Sequence, residues 1–227
     1  MTGSTHPTRN STSATSTTVS GRSCEFWTGS GSRLQAEMSE IGAMSEEATV
    51  ERELKFATDD LAGLRERLPE LEAERLGESG LEENRILDRD QELKQSGCIL
   101  RVRTDRQGAW VTFKGPARFD GEVKVREEQQ TRVEDPEALI RVLESLGYEV
   151  VRRYQKKREE WQLGGVTVAL DHTPIGDFAE FEGEGAETVA RRCGFEASHA
   201  ERRNYLQLYD DHLREHPDSP PDMVFPN

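Results

Sequence analysis

The sequence has few cysteines, and none of them are paired. Its three cysteines, Cys24, Cys98 and Cys193, are far apart in a chain of 227 residues, and no CxxC motif occurs. An odd and widely spaced set favours neither a disulfide framework nor a tetrahedral zinc site. Cys98 and Cys193 are therefore predicted to be packing residues.

Long hydrophobic runs are also missing. No apolar stretch approaches the ~18 residues that a membrane-spanning helix requires. The N-terminal residues lack the ~7–15-residue apolar core of a secretory signal. We therefore expect a cytoplasmic protein without a membrane partner.

Basic residues are in the minority. Lys and Arg together number 30 against 44 Asp and Glu, for a net charge of -14. Proteins that bind nucleic acid through the phosphate backbone need a basic surface. No nucleic-acid partner is expected, and a homodimer stays possible because nothing in the sequence identifies or excludes an interface.

Composition divides the chain into three parts. Residues 1–44 are rich in Ser, Thr and Gly without a sustained period, which predicts a disordered extension. Residues 45–215 have the length of one ordinary domain. Residues 216–227 are rich in proline and are expected to form a mobile tail.

Most of the central part alternates with a period of two, which indicates strands. The predicted strands cover residues 50–56, 99–104, 109–114, 122–133, 148–163, 166–172 and 177–183. A helix is predicted from a cap near Thr58 or Asp59 to Pro69, and another from the N-cap Asp135 to Gly147. Short helices are predicted over residues 187–193 and 202–214. About eight strands with short links predict an α+β fold, an eight-stranded antiparallel β-barrel braced by short helices.

One face of each strand is charged. Glu51, Glu53 and Lys55 point the same way in an extended strand, at intervals of ~7 Å. Such carboxylates are the ligands that Mg²⁺ and Mn²⁺ prefer. Other strands repeat the pattern with Arg101 and Arg103, Lys114, Lys124, Arg126, Glu128 and Gln130, Lys156, Arg158 and Glu160, Asp171, and Glu180 and Glu182.

The opposite faces of these strands are apolar, as Leu54 and Phe56 illustrate. Amphipathic helices need an apolar sheet surface to cover, so the charged faces are predicted to line the lumen. Mixed charges enclosed there would be unfavourable unless an anion and a metal ion occupied the space. The alternative is a barrel with an apolar interior whose charged faces are simply solvated.

These motifs resemble those of the CYTH domain, the triphosphate tunnel metalloenzyme family that includes class IV adenylate cyclases and thiamine triphosphatases. The resemblance covers about Val50 to Tyr209. It rests on the segments 50–55 (VERELK), 100–103 (LRVR), 112–115 (TFKG), 125–128 (VREE), 156–158 (KKR), 170–171 (LD) and 176–182 (GDFAEFE). It implies an eight-stranded antiparallel tunnel, in agreement with the strand pattern.

The resemblance also implies roles for individual residues. The metal ligands for Mg²⁺ or Mn²⁺ would be Glu51, Glu53, Asp171, Glu180 and Glu182. The triphosphate would be held by Lys55, Arg101, Arg103, Lys114, Arg126, Lys156 and Arg158, with Lys55 and Glu128 as catalytic residues. Gln130 stands where many members carry glutamate, which leaves one or two metal ions possible. Asn84, Asp88 and Tyr205 are interpreted as structural.

Two reactions fit this pattern. Attack by water on the terminal phosphorus of tripolyphosphate or thiamine triphosphate would give a triphosphatase, which we prefer because it asks less of the protein. Attack by the ribose 3′-hydroxyl of ATP on the α-phosphorus would give cyclic AMP and pyrophosphate, but no sequence feature specifies an adenine pocket. A non-catalytic module that binds polyphosphate or a nucleotide is the alternative from another class.

Overall fold

The computed structural model describes residues 49–226. The predicted disordered extension over residues 1–44, with Cys24, lies outside them. The strands are β1 (Thr49–Ala57), β2 (Glu74–Arg75), β3 (Gly80–Asp88), β4 (Ile99–Asp105), β5 (Gly108–Lys114), β6 (Arg118–Asp120), β7 (Val123–Val133), β8 (Glu149–Leu163), β9 (Val166–Thr173) and β10 (Gly176–Glu182). The helices are α1 (Leu61–Glu70), α2 (Glu92–Gln95), α3 (Pro136–Ser145), α4 (Ala186–Arg192) and α5 (Tyr205–Glu215), with a 3₁₀ turn at Ala197–His199.

Eight of the strands close into an antiparallel barrel in the order β1-β10-β9-β8-β3-β4-β5-β7. The barrel closes where β7 pairs with β1, with Arg126 opposite Glu51. The short strands β2 and β6 add to β8 and β7 outside this ring. The predicted fold class, an eight-stranded antiparallel barrel with short helices, is therefore confirmed.

Strand β3 was not predicted, although it lies between β8 and β4 in the wall. Its inward positions carry Glu82 and Asn84, and its outward positions carry Glu83 and Arg85. The outer face is tied to α3 partly by an ion pair of 2.6 Å between Arg85 and Glu137. A strand that is polar on both faces lacks the apolar alternation on which its prediction depends.

Helices cover the outer faces of the barrel, as the apolar pattern predicted. The leucines of α1 (Leu61, Leu64 and Leu68) pack on Leu54 and Phe56 of β1 in the main core. This helix is capped by Asp60, one residue beyond the predicted cap, through a 2.8 Å hydrogen bond from the backbone N–H of Gly63.

Helix α3 covers a second, smaller apolar cluster. Its Ile140 packs on Leu87 and Val102. The predicted N-cap Asp135 accepts a 2.8 Å hydrogen bond from the backbone N–H of Ala138. With the apolar faces buried under helices, the charged faces line the lumen.

Helix α5 packs against one end of the barrel. Tyr205 and Tyr209 pack there against Ile86, Tyr154 and Phe178. Asn204 begins the helix with a capping box, in which its side chain and that of Gln207 each accept a hydrogen bond from the other's backbone N–H. The lumen thus changes from charged to apolar as it approaches α5.

The residues after α5 pack on the barrel, in contrast to the predicted mobile tail. Met223 is 1% exposed. It pairs with Tyr154, and its carbonyl accepts a 2.8 Å hydrogen bond from the N–H of Gln155. A single methionine among prolines gives no periodic signal, so this docking could not be predicted from the pattern.

Within residues 49–226, no helix is long and apolar enough to span a bilayer. Cys193 is buried in the main core, which confirms its predicted packing role. Cys98 is only partly buried.

Candidate functional site

The lumen contains a cavity of about 260 Å³. Its wall carries eight cationic side chains, which are Lys55, Arg101, Arg103, Lys114, Lys124, Arg126, Lys156 and Arg158. It also carries six carboxylates, which are Glu51, Glu53, Glu128, Glu160, Glu180 and Glu182. All the predicted site residues except Asp171 therefore lie at one cavity.

Asp171 lies behind the wall and is 0% exposed. It accepts hydrogen bonds from Arg158 Nε and Nη2 at 2.7 and 2.6 Å, from Lys156 Nζ at 3.1 Å, and from the Tyr205 hydroxyl at 2.7 Å. These donors occupy its oxygens, so the structure does not place Asp171 as the metal ligand that was predicted. Instead, it positions two of the predicted phosphate-binding cations.

Lys55 is fixed in the same part of the wall. Its Nζ lies 3.1 Å from Glu180 and 3.4 Å from Glu53, and 4.2 Å from the ring centroid of Tyr205. Burial alone would lower the pKa of Lys55, but Glu180 and Glu53 outweigh it and raise the pKa above its ordinary value. In this arrangement the surrounding carboxylates favour the charged form of Lys55.

We call these residues, Lys55, Lys156, Arg158, Asp171 and Glu180, the closed wall. Arg158 also forms an ion pair with Glu180. Burial would raise the pKa of Glu180, but Lys55, Arg158 and Lys156 lower it well below the ordinary value. Each charge of the closed wall thus has an opposite charge within the protein.

Across the lumen, β4 presents Arg101 and Arg103, which we call the open wall. The ion-pair partner of Arg101 is Glu128, at 3.9 Å. Arg103 reaches Glu82 at 3.9 Å and Asp105 at 3.2 Å. The Nε of Arg101 is buried without a hydrogen-bond partner among the described residues, whereas the Nε of Arg103 lies 3.2 Å from Asp105 in a geometry that makes no hydrogen bond. A buried donor without a partner is unfavourable, and the planar guanidinium fork matches two oxygens of a phosphate.

Carboxylates crowd the part of the lumen formed by β1 and β10. Lys114 holds Glu51 at 2.8 and 2.9 Å, and Lys124 holds Glu53 at 2.8 Å. Within residues 49–226, Glu182 has no ion-pair partner. Burial, then Glu51 and Glu53, raise its pKa to about 7 against the lowering effect of Arg158 and Lys114.

This crowding bears on metal binding. Excess negative charge on oxygen atoms suits a divalent cation such as Mg²⁺ or Mn²⁺. Among the described residues, however, no three carboxylate, imidazole or thiol groups already converge to hold an ion. The donor chemistry of Glu51, Glu53 and Glu182 fits a metal, provided that the lysine contacts of Glu51 and Glu53 are exchanged for it.

Two further predicted residues have defined partners. Glu128 lies 2.8 Å from Lys114. Burial would raise the pKa of Glu128, but Lys114 and the arginines lower it, so it is a carboxylate at neutral pH. Arg126 donates from Nε to the carbonyl of Gly115 and, at 2.7 Å, from Nη2 to that of Gly97. It therefore supports these loops more than it faces the lumen.

Gln130 accepts a 2.9 Å hydrogen bond from the hydroxyl of Thr112. Its neutral side chain is thus paired with a neutral partner in the wall. It adds no charge that could help to hold a second metal ion.

Two important residues were missed or undervalued in the sequence. Glu82, on the unpredicted strand β3, is 3% exposed, lies 3.6 Å from Lys156 and accepts a 2.9 Å hydrogen bond from Asn84. Tyr205 was interpreted as structural, yet its hydroxyl donates to Asp171 beneath the site. The same-face spacing of Glu82 and Asn84 is visible in the sequence once β3 is recognised.

Comparison with known proteins gave consistent matches. The sequence model of the CYTH domain matches residues 49–214. A Methanocaldococcus jannaschii protein named "putative adenylate cyclase" is 28% identical over 134 residues, which cover 59% of this chain and 76% of the relative.

Solved structures agree with the match. A Pyrococcus horikoshii protein has a TM-score of 0.62 and 28% identity over 71% of this chain and 99% of its own. A Hippeastrum protein described as a "putative adenylyl cyclase" with a dominant triphosphatase activity has a TM-score of 0.54 and 15% identity, over 71% of this chain and 96% of its own. At that identity, the second likeness concerns the fold alone.

Proposed function

Because this chain belongs to the CYTH domain family, we propose that its lumen binds the triphosphate group of a substrate and hydrolyses it with the help of Mg²⁺ or Mn²⁺. The observation that supports this most strongly is the open wall. Arg101 has a buried Nε donor without a hydrogen-bond partner among the described residues, and its guanidinium lies 3.9 Å from its ion-pair partner Glu128. A phosphate anion between the walls would supply the acceptor that this donor lacks.

The two walls have different roles in binding the triphosphate. Arg101 and Arg103 would grip phosphate oxygens directly, while the cations of the closed wall add positive charge from fixed positions. Charges that are already oriented need no rearrangement as negative charge develops on the phosphoryl oxygens. The closed wall therefore contributes rigidity, and the open wall contributes affinity.

Glu51, Glu53 and Glu182 would hold the metal ion. A divalent cation bound there would neutralise phosphate oxygens and make the reacting phosphorus more electrophilic. The raised pKa of Glu182 is consistent with this role, because it reflects burial together with two neighbouring carboxylates.

In the proposed step, a water oxygen forms a bond to the terminal phosphorus. The bond from that phosphorus to the bridging oxygen breaks, and its electron pair leaves with the diphosphate. Glu128, a carboxylate at neutral pH, accepts the proton of the attacking water. Lys55 stays protonated and stabilises charge on the phosphoryl oxygens.

Cyclisation of ATP to cyclic AMP and pyrophosphate is the second candidate. The Methanocaldococcus jannaschii relative carries the name of that activity. Both reactions use the same triphosphate clamp. The Hippeastrum protein, with a dominant triphosphatase activity, shares the fold, so the fold does not separate them.

The test is to incubate the purified full-length protein with Mg²⁺ or Mn²⁺ and, separately, with tripolyphosphate, thiamine triphosphate and ATP, and to resolve all products. Free phosphate or diphosphate released over many turnovers supports hydrolysis. Cyclic AMP with pyrophosphate supports the second candidate instead. Tight binding without turnover would show a non-catalytic module. If the protein neither binds nor converts any of these compounds, the proposed triphosphate site is refuted.

A further inference from the structure

A second, larger cavity adjoins the charged lumen. It has a volume of about 550 Å³ and lies between β6, α2 and α5. Pockets that enclose small organic ligands usually measure about 300–1,000 Å³. Its size is therefore that of a ligand pocket.

The two cavities are neighbours that share part of their lining. Ile86, Ile99, Lys124, Arg126, Asn204 and Leu206 line both of them. Two of these side chains are cations, Lys124 and Arg126, and they stand where the charged lumen gives way to the larger cavity. A ligand with its phosphates in the lumen could thus extend past Lys124 without leaving the protein.

The larger cavity has a different chemistry from the lumen. Leu93, Phe119 and Leu206 give it an apolar lining, and Asn204 and Gln207 add amide groups at the start of α5. Phe119 is 40% exposed, and the Arg202 guanidinium lies 4.0 Å from its ring centroid. A partly exposed aromatic ring beside an arginine is suited to stack on a planar ring.

The other end of the lumen offers no such space. The cavity there measures about 90 Å³, and its lining includes Arg103, Asp105, Arg158 and Glu160. That end suits a terminal phosphate or water rather than an organic group. The lumen therefore has a direction, from a small charged end to a larger end that mixes apolar and charged side chains.

We infer that the cavity beside Phe119 holds the ring-bearing organic group of the substrate, so that the substrate is an organic triphosphate rather than inorganic tripolyphosphate. The inference rests on the proposed function, and it adds which end of the lumen receives the organic group. The phosphate next to that group lies at Lys124, and the terminal phosphate points toward Arg103 and Arg158. Inorganic tripolyphosphate would leave the larger cavity, with Leu93, Phe119 and Leu206 in its lining, without an occupant.

The test compares Phe119→Ala with the matched control Phe113→Ala. Phe113 is 37% exposed on β5 and lines neither cavity, so the control removes the same ring from a similar environment. For each full-length protein, kcat/KM is measured with ATP, thiamine triphosphate and tripolyphosphate in the presence of Mg²⁺ or Mn²⁺. All products are resolved so that either reaction is detected.

Loss of base stacking is expected to lower the ratio of kcat/KM for an organic triphosphate to that for tripolyphosphate about tenfold in Phe119→Ala. The ratio should be unchanged in Phe113→Ala. If tripolyphosphate is the best substrate of the wild type, or if Phe119→Ala leaves the ratio unchanged, the inference is overturned while the proposed function stands. If the wild type neither binds nor converts any of the three, both fall.

Discussion

The two walls of the lumen contain similar side chains but satisfy them differently. In the closed wall, Asp171 receives four donor contacts from Arg158, Lys156 and Tyr205 at 2.6 to 3.1 Å. In the open wall, Arg101 has one carboxylate at 3.9 Å and a buried Nε without a partner among the described residues. Charges in the first wall stabilise the fold by pairing with one another, whereas those in the second are placed for a ligand. A buried cation in the lumen that lacks a close acceptor within the protein is thus a candidate for ligand binding.

The largest expected effect is on the closed wall. Asp171→Asn removes the charge on which Arg158 and Lys156 depend and leaves two buried cations poorly compensated. We expect the free energy of unfolding, measured by urea denaturation, to fall by about 3–5 kcal/mol. A loss below about 1 kcal/mol would show that the closed wall is not a structural network.

Glu82 links the two walls, since it lies 3.6 Å from Lys156 and 3.9 Å from Arg103. Burial would raise its pKa, but Lys156, Arg158 and the open-wall arginines lower it from 4.5 to about 2. Because the folded-state pKa is depressed, this carboxylate stabilises the fold above its ordinary pKa, and the contribution is lost as pH falls toward about 2.

We therefore expect Glu82→Gln to destabilise the protein at neutral pH by on the order of 3 kcal/mol. Unfolding by urea is compared for wild type and variant at neutral pH and at successively lower pH between the two pKa values. The difference in unfolding free energy should shrink as the pH falls. A difference that is the same at all pH values would contradict the pairing of Glu82.

Arg101 should behave in the opposite way to Asp171. Arg101→Met removes charge-assisted hydrogen bonds to phosphate, so the affinity for tripolyphosphate, measured by calorimetry with Mg²⁺, should fall about 10–100-fold. The unfolding free energy should fall by less than it does in Asp171→Asn, because the ion-pair partner of Arg101, Glu128, is 3.9 Å away. If Arg101→Met left the affinity for tripolyphosphate unchanged but strongly lowered the unfolding free energy, Arg101 would be a structural residue and the assignment of the open wall to ligand binding would be wrong.

The smallest effect is expected outside the barrel. Arg52 and Asp120 form an exposed ion pair at 2.9 Å, with the same carboxylate–guanidinium chemistry as the closed wall. Asp120→Asn should change the unfolding free energy by less than about 1 kcal/mol, because solvent already screens the pair. If this substitution destabilises the protein as much as Asp171→Asn, burial is not what makes the closed wall strong.

Much of the barrel could be predicted because most of its strands alternate charged residues on one face with mainly apolar residues on the other. In β1, Glu51, Glu53 and Lys55 alternate with Arg52, Leu54 and Phe56, and the Leu–Phe face predicts which side the helices cover. Strand β3 could not be found this way, since Glu83 and Arg85 make its outer face polar. Because β3 was not predicted, Glu82 was not recognised as a residue of the lumen.

Roles that depend on distant residues were beyond the pattern. Asp171 reads as one more acidic side chain of the tunnel, and only the fold brings Arg158 and Tyr205 to it from β8 and α5. The docking of Met223 on Tyr154 likewise depends on one apolar residue. Alternation predicts the direction of a side chain, but its partners come from tertiary structure.

The most direct test of the central claim, that the open wall is held in place for a triphosphate, is the melting temperature of the full-length protein with and without tripolyphosphate and Mg²⁺. A ligand at about 10–100 times its Kd stabilises the native state by about 1.4–2.7 kcal/mol. For a domain of this size that corresponds to a rise of about 3–10 °C, and Arg101→Met should lose most of it. An unchanged melting temperature in the wild type at millimolar tripolyphosphate would contradict the account.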